Sequence, residues 1–167
     1  MKIISSVKKI AEISNREKKH GKSVGLVVGG YDVLHLGHIN LFRQAKKYVD
    51  ILIVGLDNDK TLKLTKGESR PINNFYRRSQ FLSEISLVDY IFQIDKIFKH
   101  GDTNSDLYFY KLYKKINPTH VFTHPETDSL YKRRKHISKD LGINFIPDRT
   151  KYITTTTEIL NILSNEK

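Results

Sequence analysis

Two histidines, His35 and His38, stand three residues apart behind a pair of glycines, Gly29 and Gly30. Residues three apart on a helix share a face, so with helical geometry begun by Gly37 both imidazoles look to the same side. Ahead of them, Val24-Gly25-Leu26-Val27-Val28 is a short apolar run rich in β-branched residues, which reads as a buried strand. Behind them, Ile39, Leu41, Phe42, Ala45 and Val49 recur at helical spacing, with Arg43, Lys46 and Lys47 turned outward. The order is strand, glycine turn, helix. Such a turn aims backbone N–H groups and the positive end of the helix dipole at one spot, a place for phosphate. Two imidazoles beside that spot suit a reaction in which a phosphate gains charge and pyrophosphate leaves. The plainer alternative, histidines that merely satisfy a helix start, would do for one of them but not for the whole pattern.

That pattern, Gly29 to His38, resembles the G-x-F-D-x-x-H-x-G-H signature of the cytidylyltransferase-like nucleotidyltransferases. Asp32, His35, Gly37 and His38 match, and Tyr31 keeps an aromatic ring where that family has Phe. Lys66-Gly67-Glu68-Ser69-Arg70-Pro71-Ile72-Asn73 is similar to the K-G-x-x-R-P-V-N segment of bacterial sugar-phosphate adenylyltransferases that activate heptose 1-phosphate. Arg78, eleven residues before Asp89, falls where those enzymes place a phosphate-binding arginine. The lead-in to Gly21-Lys22-Ser23-Val24 also looks like theirs. Arg149 to Thr156 is similar instead to the R-T-x-G-I-S-T-T segment of glycerol-phosphate cytidylyltransferases, with Tyr152 in place of glycine. Between them, Thr123-His124-Pro125-Glu126-Thr127-Asp128 follows neither pattern and lacks the glycines of K-G-G-D-Y or H-G-D-D.

The resemblance implies a nucleotidyltransferase that moves adenylyl from a nucleoside triphosphate to a phosphorylated sugar. The alternative is cytidylyl transfer from CTP to a polyol phosphate such as glycerol 3-phosphate. His35 and His38 would contact the triphosphate near its α–β bridge, with Lys66 and Arg78 pairing phosphate oxygens and Lys46 a further candidate. Gly29, Gly30, Tyr31, Asp32 and Gly37 would line the nucleotide pocket. The hydroxyls of Thr154, Thr155 and Thr156 would take the β- and γ-phosphates, and Asp59 would touch a ribose. Mg²⁺ would travel with the triphosphate, since carboxylates such as Asp32 form no dedicated cage.

These groups need a scaffold. Ile3, Ile4, Val7, Ile10, Ala11 and Ile13 predict an N-terminal docking helix within residues 1–20. Asp50–Leu56, Tyr90–Ile94, Thr119–Thr123 and Ile143–Ile146 predict further strands, making five with the first. Helices are expected from Asn73 or Asn74 to Leu87, over Leu107–Ile116 and Leu130–Leu141, and from within Thr154–Thr157. Lys60 to Pro71 reads as a mobile basic loop that folds over polyphosphate. The run Lys132-Arg133-Arg134-Lys135 reads as an exposed helix face. Alternation of strands and helices gives an α/β fold, a doubly wound, Rossmann-like parallel sheet with helices on both faces. A single domain over 1–167 is expected, with a homodimer as its assembly.

Composition narrows the partners. With 29 Lys and Arg against 18 Asp and Glu, the formal charge of +11 predicts attraction to polyanions. No base-stacking or groove-reading motif accompanies it, so nucleic acid is not expected. With no cysteine, thiolate catalysis and cysteine-ligated zinc are excluded, and His-x-x-His without H-E-x-x-H spacing is a weak zinc signal. No apolar run nears the ~20 residues of a bilayer span. No signal-peptide core is evident, so no membrane partner and a cytoplasmic location are expected.

Overall fold

The apolar runs become parallel strands. In the computed structural model, which describes residues 2–4, 6–99, 102, 104–150 and 156–165, the strands are β1 (Ile3–Ile4), β2 (Val24–Gly29), β3 (Ile51–Asp57), β4 (Tyr90–Ile94), β5 (His120–Thr123) and β6 (Asn144–Pro147). They form one sheet in the order β1-β4-β3-β2-β5-β6. Each pairing is parallel, with Leu26 opposite Ile53 on one side and Val121 on the other. The chain leaves β2 toward β3 and later returns to its other side as β5. That reversal opens a crevice at the carboxyl ends of the strands, where open α/β sheets bind ligands.

Among the described residues the strands number six, not the five expected. Ile3 and Ile4, read as the start of the N-terminal helix, pair instead with Ile91 and Phe92. The helix α1 spans Val7–Lys19, with Ser6 as its N-cap. Two β-branched residues at an open sheet edge gain ladder hydrogen bonds there, the Ile91 N–H to the Lys2 carbonyl at 2.8 Å among them.

The remaining helices are α2 (Leu36–Lys46), α3 (Asp59–Lys66), α4 (Phe75–Ser83), α5 (Asn104–Ile116), α6 (Tyr131–Asp140) and α7 (Thr156–Asn165). They cover both faces of the sheet. Ile10 of α1, Phe109, Leu112 and Tyr113 of α5, and Ile137 of α6 pack on Leu26, Ile53 and Phe92. On the other face Leu41, Phe42 and Ala45 of α2 and Leu82 of α4 pack on Val27, Val54 and Ile91. Complete burial of a ring such as Phe42 stabilises by roughly 1.5–3 kcal/mol.

The segment 60–71, expected as a loop, is helical as far as Lys66. Asn58 accepts the Thr61 N–H at 2.9 Å, Asp59 sits in the first turn, and Lys63 and Lys66 close the last turn before Gly67 at φ +110°. Cap, dipole and stop all agree. Thr61 and Leu62 are buried, which fixes this helix over the crevice.

Candidate active site

The carboxyl ends of β2, β3 and β5 open into a cavity of about 530 Å³ whose wall includes Gly29 to Asp32, His35, His38, Asp57, Lys66, Arg70, His124, Asp128 and Thr156. Its size suits a nucleotide-scale ligand. At the end of β2 the chain passes through Gly30, where a Cβ would lie 2.7 Å from Leu62 Cδ2. A side chain at this position would have to displace the Leu62 side chain of α3. Tyr31 follows at φ +49°, a left-handed conformation costly for a residue with a side chain. Its ring meets His38 edge-on at 5.0 Å and packs near Phe42 at 5.5 Å.

His35 and His38 are stacked, with ring centroids 3.9 Å apart and planes 28° from parallel. The His35 main-chain N–H approaches His38 Nδ1 at 3.4 Å. A ring that accepts at Nδ1 carries its proton on Nε2. Burial, and secondarily the neighbouring His35, pull His38 down to about 3, and burial also lowers His35. Both rings are therefore neutral near pH 7. A neutral imidazole offers one ring N–H as a donor and carries no charge.

Asp32 is buried and fully occupied. One carboxylate oxygen takes the Arg70 guanidinium and the Ile72 N–H at 3.0 Å, and the other takes the Asn73 N–H at 2.8 Å. Asn73 also donates to the Asp32 carbonyl at 2.8 Å. Asp32 thus latches residues 70–73, with a cis Arg70–Pro71 peptide, against the glycine turn.

Arg78 does not present itself to a phosphate. Asn74 caps α4 by accepting the Arg77 N–H at 3.0 Å, and from the first turn Arg78 runs inward with no exposure. Its guanidinium donates to the Gly30 carbonyl, to the Asp57 carbonyl at 2.8 Å and to the Asp59 carboxylate at 2.7 Å. It braces the turn from behind, and Asp59 is its partner rather than part of the cavity wall. Lys46 lies at the opposite end of the sheet. It donates to the Asp50 carbonyl, just before β3, and pairs with Asp89 at 3.0 Å. A cation at the amino ends of the strands cannot reach the crevice.

The other expected residues fall as follows. Lys66 ends α3, exposed and on the cavity wall. Gly37 is buried in the first turn of α2. Thr156 starts α7 at the cavity, its hydroxyl donating to the Val33 carbonyl at 3.1 Å. Thr154 and Thr155 lie outside the described residues.

Sequence reasoning missed Arg70 and Arg134. A carboxylate fixed at a glycine turn needs a cation, and Arg70 stands in the segment that also supplies main-chain donors to Asp32. Arg134, counted in an exposed basic run, is buried. It pairs with Asp128 at 2.8 Å, donates to the Tyr113 hydroxyl at 3.0 Å and lies 4.4 Å over the Phe109 ring. Its helical phase with Leu130, Ile137 and Leu141 was the available signal.

A family model described as cytidylyltransferase-like matches residues 26–161. Bifunctional protein HldE of Aliarcobacter butzleri is 33% identical over 170 residues, covering 98% of this chain and 32% of that protein. Bifunctional protein HldE of Campylobacter curvus is 40% identical over 93 residues, covering 56% of this chain and 19% of that protein. The chain spans a third or less of the length of these relatives. The crystal structure of the lipopolysaccharide core biosynthesis protein from Thermoplasma volcanium superposes with a TM-score of 0.57 at 25% identity, over 78% of this chain and 98% of that one. Pantoate-beta-alanine ligase from Francisella tularensis, at 20% identity and a TM-score of 0.69 over 99% of this chain and 77% of that one, shares the fold. With its turn, paired histidines and crevice in this arrangement, the chain belongs to the cytidylyltransferase-like family.

Proposed function

We propose that this chain transfers the adenylyl group of ATP to a phosphorylated sugar and releases pyrophosphate. The observation that carries the reading is the stacked, neutral pair His35 and His38 beside the Gly29–Asp32 turn, inside one cavity with Lys66 and Thr156. An acceptor phosphate oxygen attacks the α-phosphorus, the bond to the α–β bridging oxygen breaks, and pyrophosphate departs. The attacking oxygen is already ionised, so no general base is needed. The site must hold two anions together and receive the charge that builds on the leaving group. The imidazole N–H groups and the helix start at Leu36 meet that charge, and Lys66 offsets the repulsion between the anions.

Mg²⁺ would enter with the triphosphate, as part of the substrate. Asp32 and Asp128 are paired with Arg70 and Arg134, and among the described residues no three His, Asp or Glu side chains converge as a cage. The ion supplies neutralisation of the triphosphate; the chain supplies the cradle.

The segment Lys66–Asn73, the HldE relatives and the lipopolysaccharide-core neighbour support a sugar phosphate as acceptor. No helix among the described residues is long and apolar enough to cross a membrane, which accords with a cytoplasmic site of action. The test is pyrophosphate release with ATP, CTP, GTP and UTP crossed with hexose, heptose and glycerol phosphates. Release with ATP and a sugar phosphate is expected. Release only with CTP and glycerol phosphate moves the reading to polyol-phosphate cytidylyl transfer, and no release with any pair overturns it.

A further inference from the structure

Four carboxylates stand on the cavity wall: Asp32, Asp57, Asp102 and Asp128. Three of them have donors within the protein. Asp32 is latched by Arg70, Ile72 and Asn73, Asp128 takes Arg134 and the Thr123 hydroxyl, and Asp102 Oδ1 accepts the Asn104 N–H at 2.8 Å. Asp57 differs. Its main-chain carbonyl is held by Arg78 at 2.8 Å, but among the described residues its carboxylate has no hydrogen bond and no ion pair.

The strand fixes where this carboxylate sits. Alternate residues of a strand face opposite sides of the sheet, so Asp57 shares a side with Ile53, toward α5 and α6, while Leu56 faces α2 and α4. As the last residue of β3 it is partly buried and ends at the crevice rather than in the core. Burial pushes its carboxyl above the ordinary range, and the guanidiniums of Arg134 and Arg78 pull the other way. Counter-charge is therefore close at hand. What the group lacks is a donor, and a buried acceptor left without one is costly.

Sign decides the chemistry of the missing donor. A carboxylate repels phosphate, so the phosphates of both substrates belong with Lys66 and the imidazoles. A cation would duplicate what Arg134 and Arg78 already provide. Neutral hydroxyls remain, and two on neighbouring carbons match the two oxygens of one carboxylate. Phe98 and Phe109 on the same wall add apolar surface for the carbon skeleton.

We propose that Asp57 is the sugar-reading residue of this cavity, its carboxylate accepting hydrogen bonds from hydroxyls on neighbouring carbons. The acceptor sugar and the ribose of the nucleotide both carry such groups, and the experiment separates them. The inference rests on the reading that the cavity joins a nucleotide to a sugar phosphate.

The experiment compares wild type, Asp57→Ala and Asp57→Asn. Urea unfolding of the free proteins comes first. Neither variant removes a bond made within the protein, so the midpoint is expected to hold or rise. A lower midpoint gives the carboxylate a structural partner and overturns the proposal, whether or not the protein is active. Initial rates of pyrophosphate release are then read with hexose and heptose 1-phosphates and their singly deoxygenated analogues, and with ATP, 2′-deoxy-ATP and 3′-deoxy-ATP. Asp57→Ala is expected to raise KM for one substrate by about tenfold or more, as loss of hydrogen bonds to a charged group does. That defect should shrink to within about twofold when the substrate lacks the hydroxyl concerned, since the two losses are then one and the same. Shrinkage with a deoxy sugar phosphate assigns Asp57 to the acceptor, and shrinkage with a deoxy-ATP assigns it to the ribose. Asp57→Asn keeps one acceptor oxygen and should lose less. A defect of equal size against every analogue overturns the proposal, and so does a change confined to the Mg²⁺ concentration needed for activity. Wild-type protein that releases no pyrophosphate with any pair takes this inference down with the reading of the site, whereas an active wild type and an unaffected Asp57→Ala variant sink this inference alone.

Discussion

The guanidinium of Arg78 donates to the main-chain carbonyl of Gly30, so the glycine turn is braced from behind by a cation with no exposure to solvent. The same guanidinium holds the Asp57 carbonyl and the Asp59 carboxylate, joining the end of β2 to the end of β3. Stability of the turn, rather than contact with phosphate, is what this arginine supplies.

Replacing Arg78 by Ala removes the guanidinium donor from the Gly30 and Asp57 carbonyls. The expected cost is about 2–3 kcal/mol in urea unfolding, on the scale of losing hydrogen bonds made by a charged group. Lysine should not restore it, because one ammonium cannot reproduce the fork. Asp59→Asn should cost less than about 1 kcal/mol, since that carboxylate is 41% exposed. An Arg78→Ala protein as stable as wild type, with only substrate affinity reduced, would return Arg78 to the phosphate site.

Lys46 gives the opposite expectation. Its pair with Asp89 is about a quarter exposed on both sides and lies at the amino ends of the strands. Lys46→Ala should leave kcat and both KM values within about twofold of wild type, and cost under about 1 kcal/mol of stability. A selective rise in KM for the triphosphate would contradict the placement.

Lys66 makes no ion pair among the described residues and stands on the cavity wall. Lys66→Ala should raise KM for at least one anionic substrate about tenfold, as loss of a charge-assisted contact does, with no change in the unfolding midpoint. Unaltered kinetics would make it a solvated surface charge.

Stability should also depend on pH through the paired histidines. His38 titrates in the folded chain at about 3, against about 6.5 when unfolded. Between those values the unfolded chain binds a proton that the folded chain excludes. The stability this contributes is complete above about pH 6.5 and is lost as pH falls, by up to about 1.4 kcal/mol per pH unit per proton. Burial shifts His35 the same way. Glu17, held at about 2 by Lys22 and Arg16, adds its own loss only at lower pH. Urea unfolding between about pH 5 and 6.5 should therefore show a shallower slope for His38→Gln than for wild type. Equal slopes would mean that His38 is not desolvated.

The strands and the histidine turn were legible because their signals are local: continuous β-branched runs, a glycine pair, and a helix whose apolar positions keep one period. What escaped depends on partners distant in sequence. Ile3 and Ile4 form a strand only because β4 offers them an edge, and alone they continue the helical period of Val7 and Ile10. The helix Asp59–Lys66 has too few apolar residues for a periodic signal, yet Asn58, Asp59, Lys66 and Gly67 carry its start and stop signs. Arg78 and Lys46 are equivalent as sequence letters. One is drawn inward by three oxygens, from the glycine turn after β2, from β3 and from α3, and the other ends a helix at the far side of the sheet. Charge alone does not tell those fates apart.

The most direct measurement of the central claim is the rate of pyrophosphate release from ATP and a sugar phosphate by wild type, His35→Ala, His38→Ala and the double variant, each checked for folding by circular dichroism. With the imidazole N–H groups meeting charge that develops as pyrophosphate leaves, each single variant should lose about 10²-fold or more in kcat, the scale of removing one such donor. A folded double variant that turns over like wild type would contradict the assignment of this site.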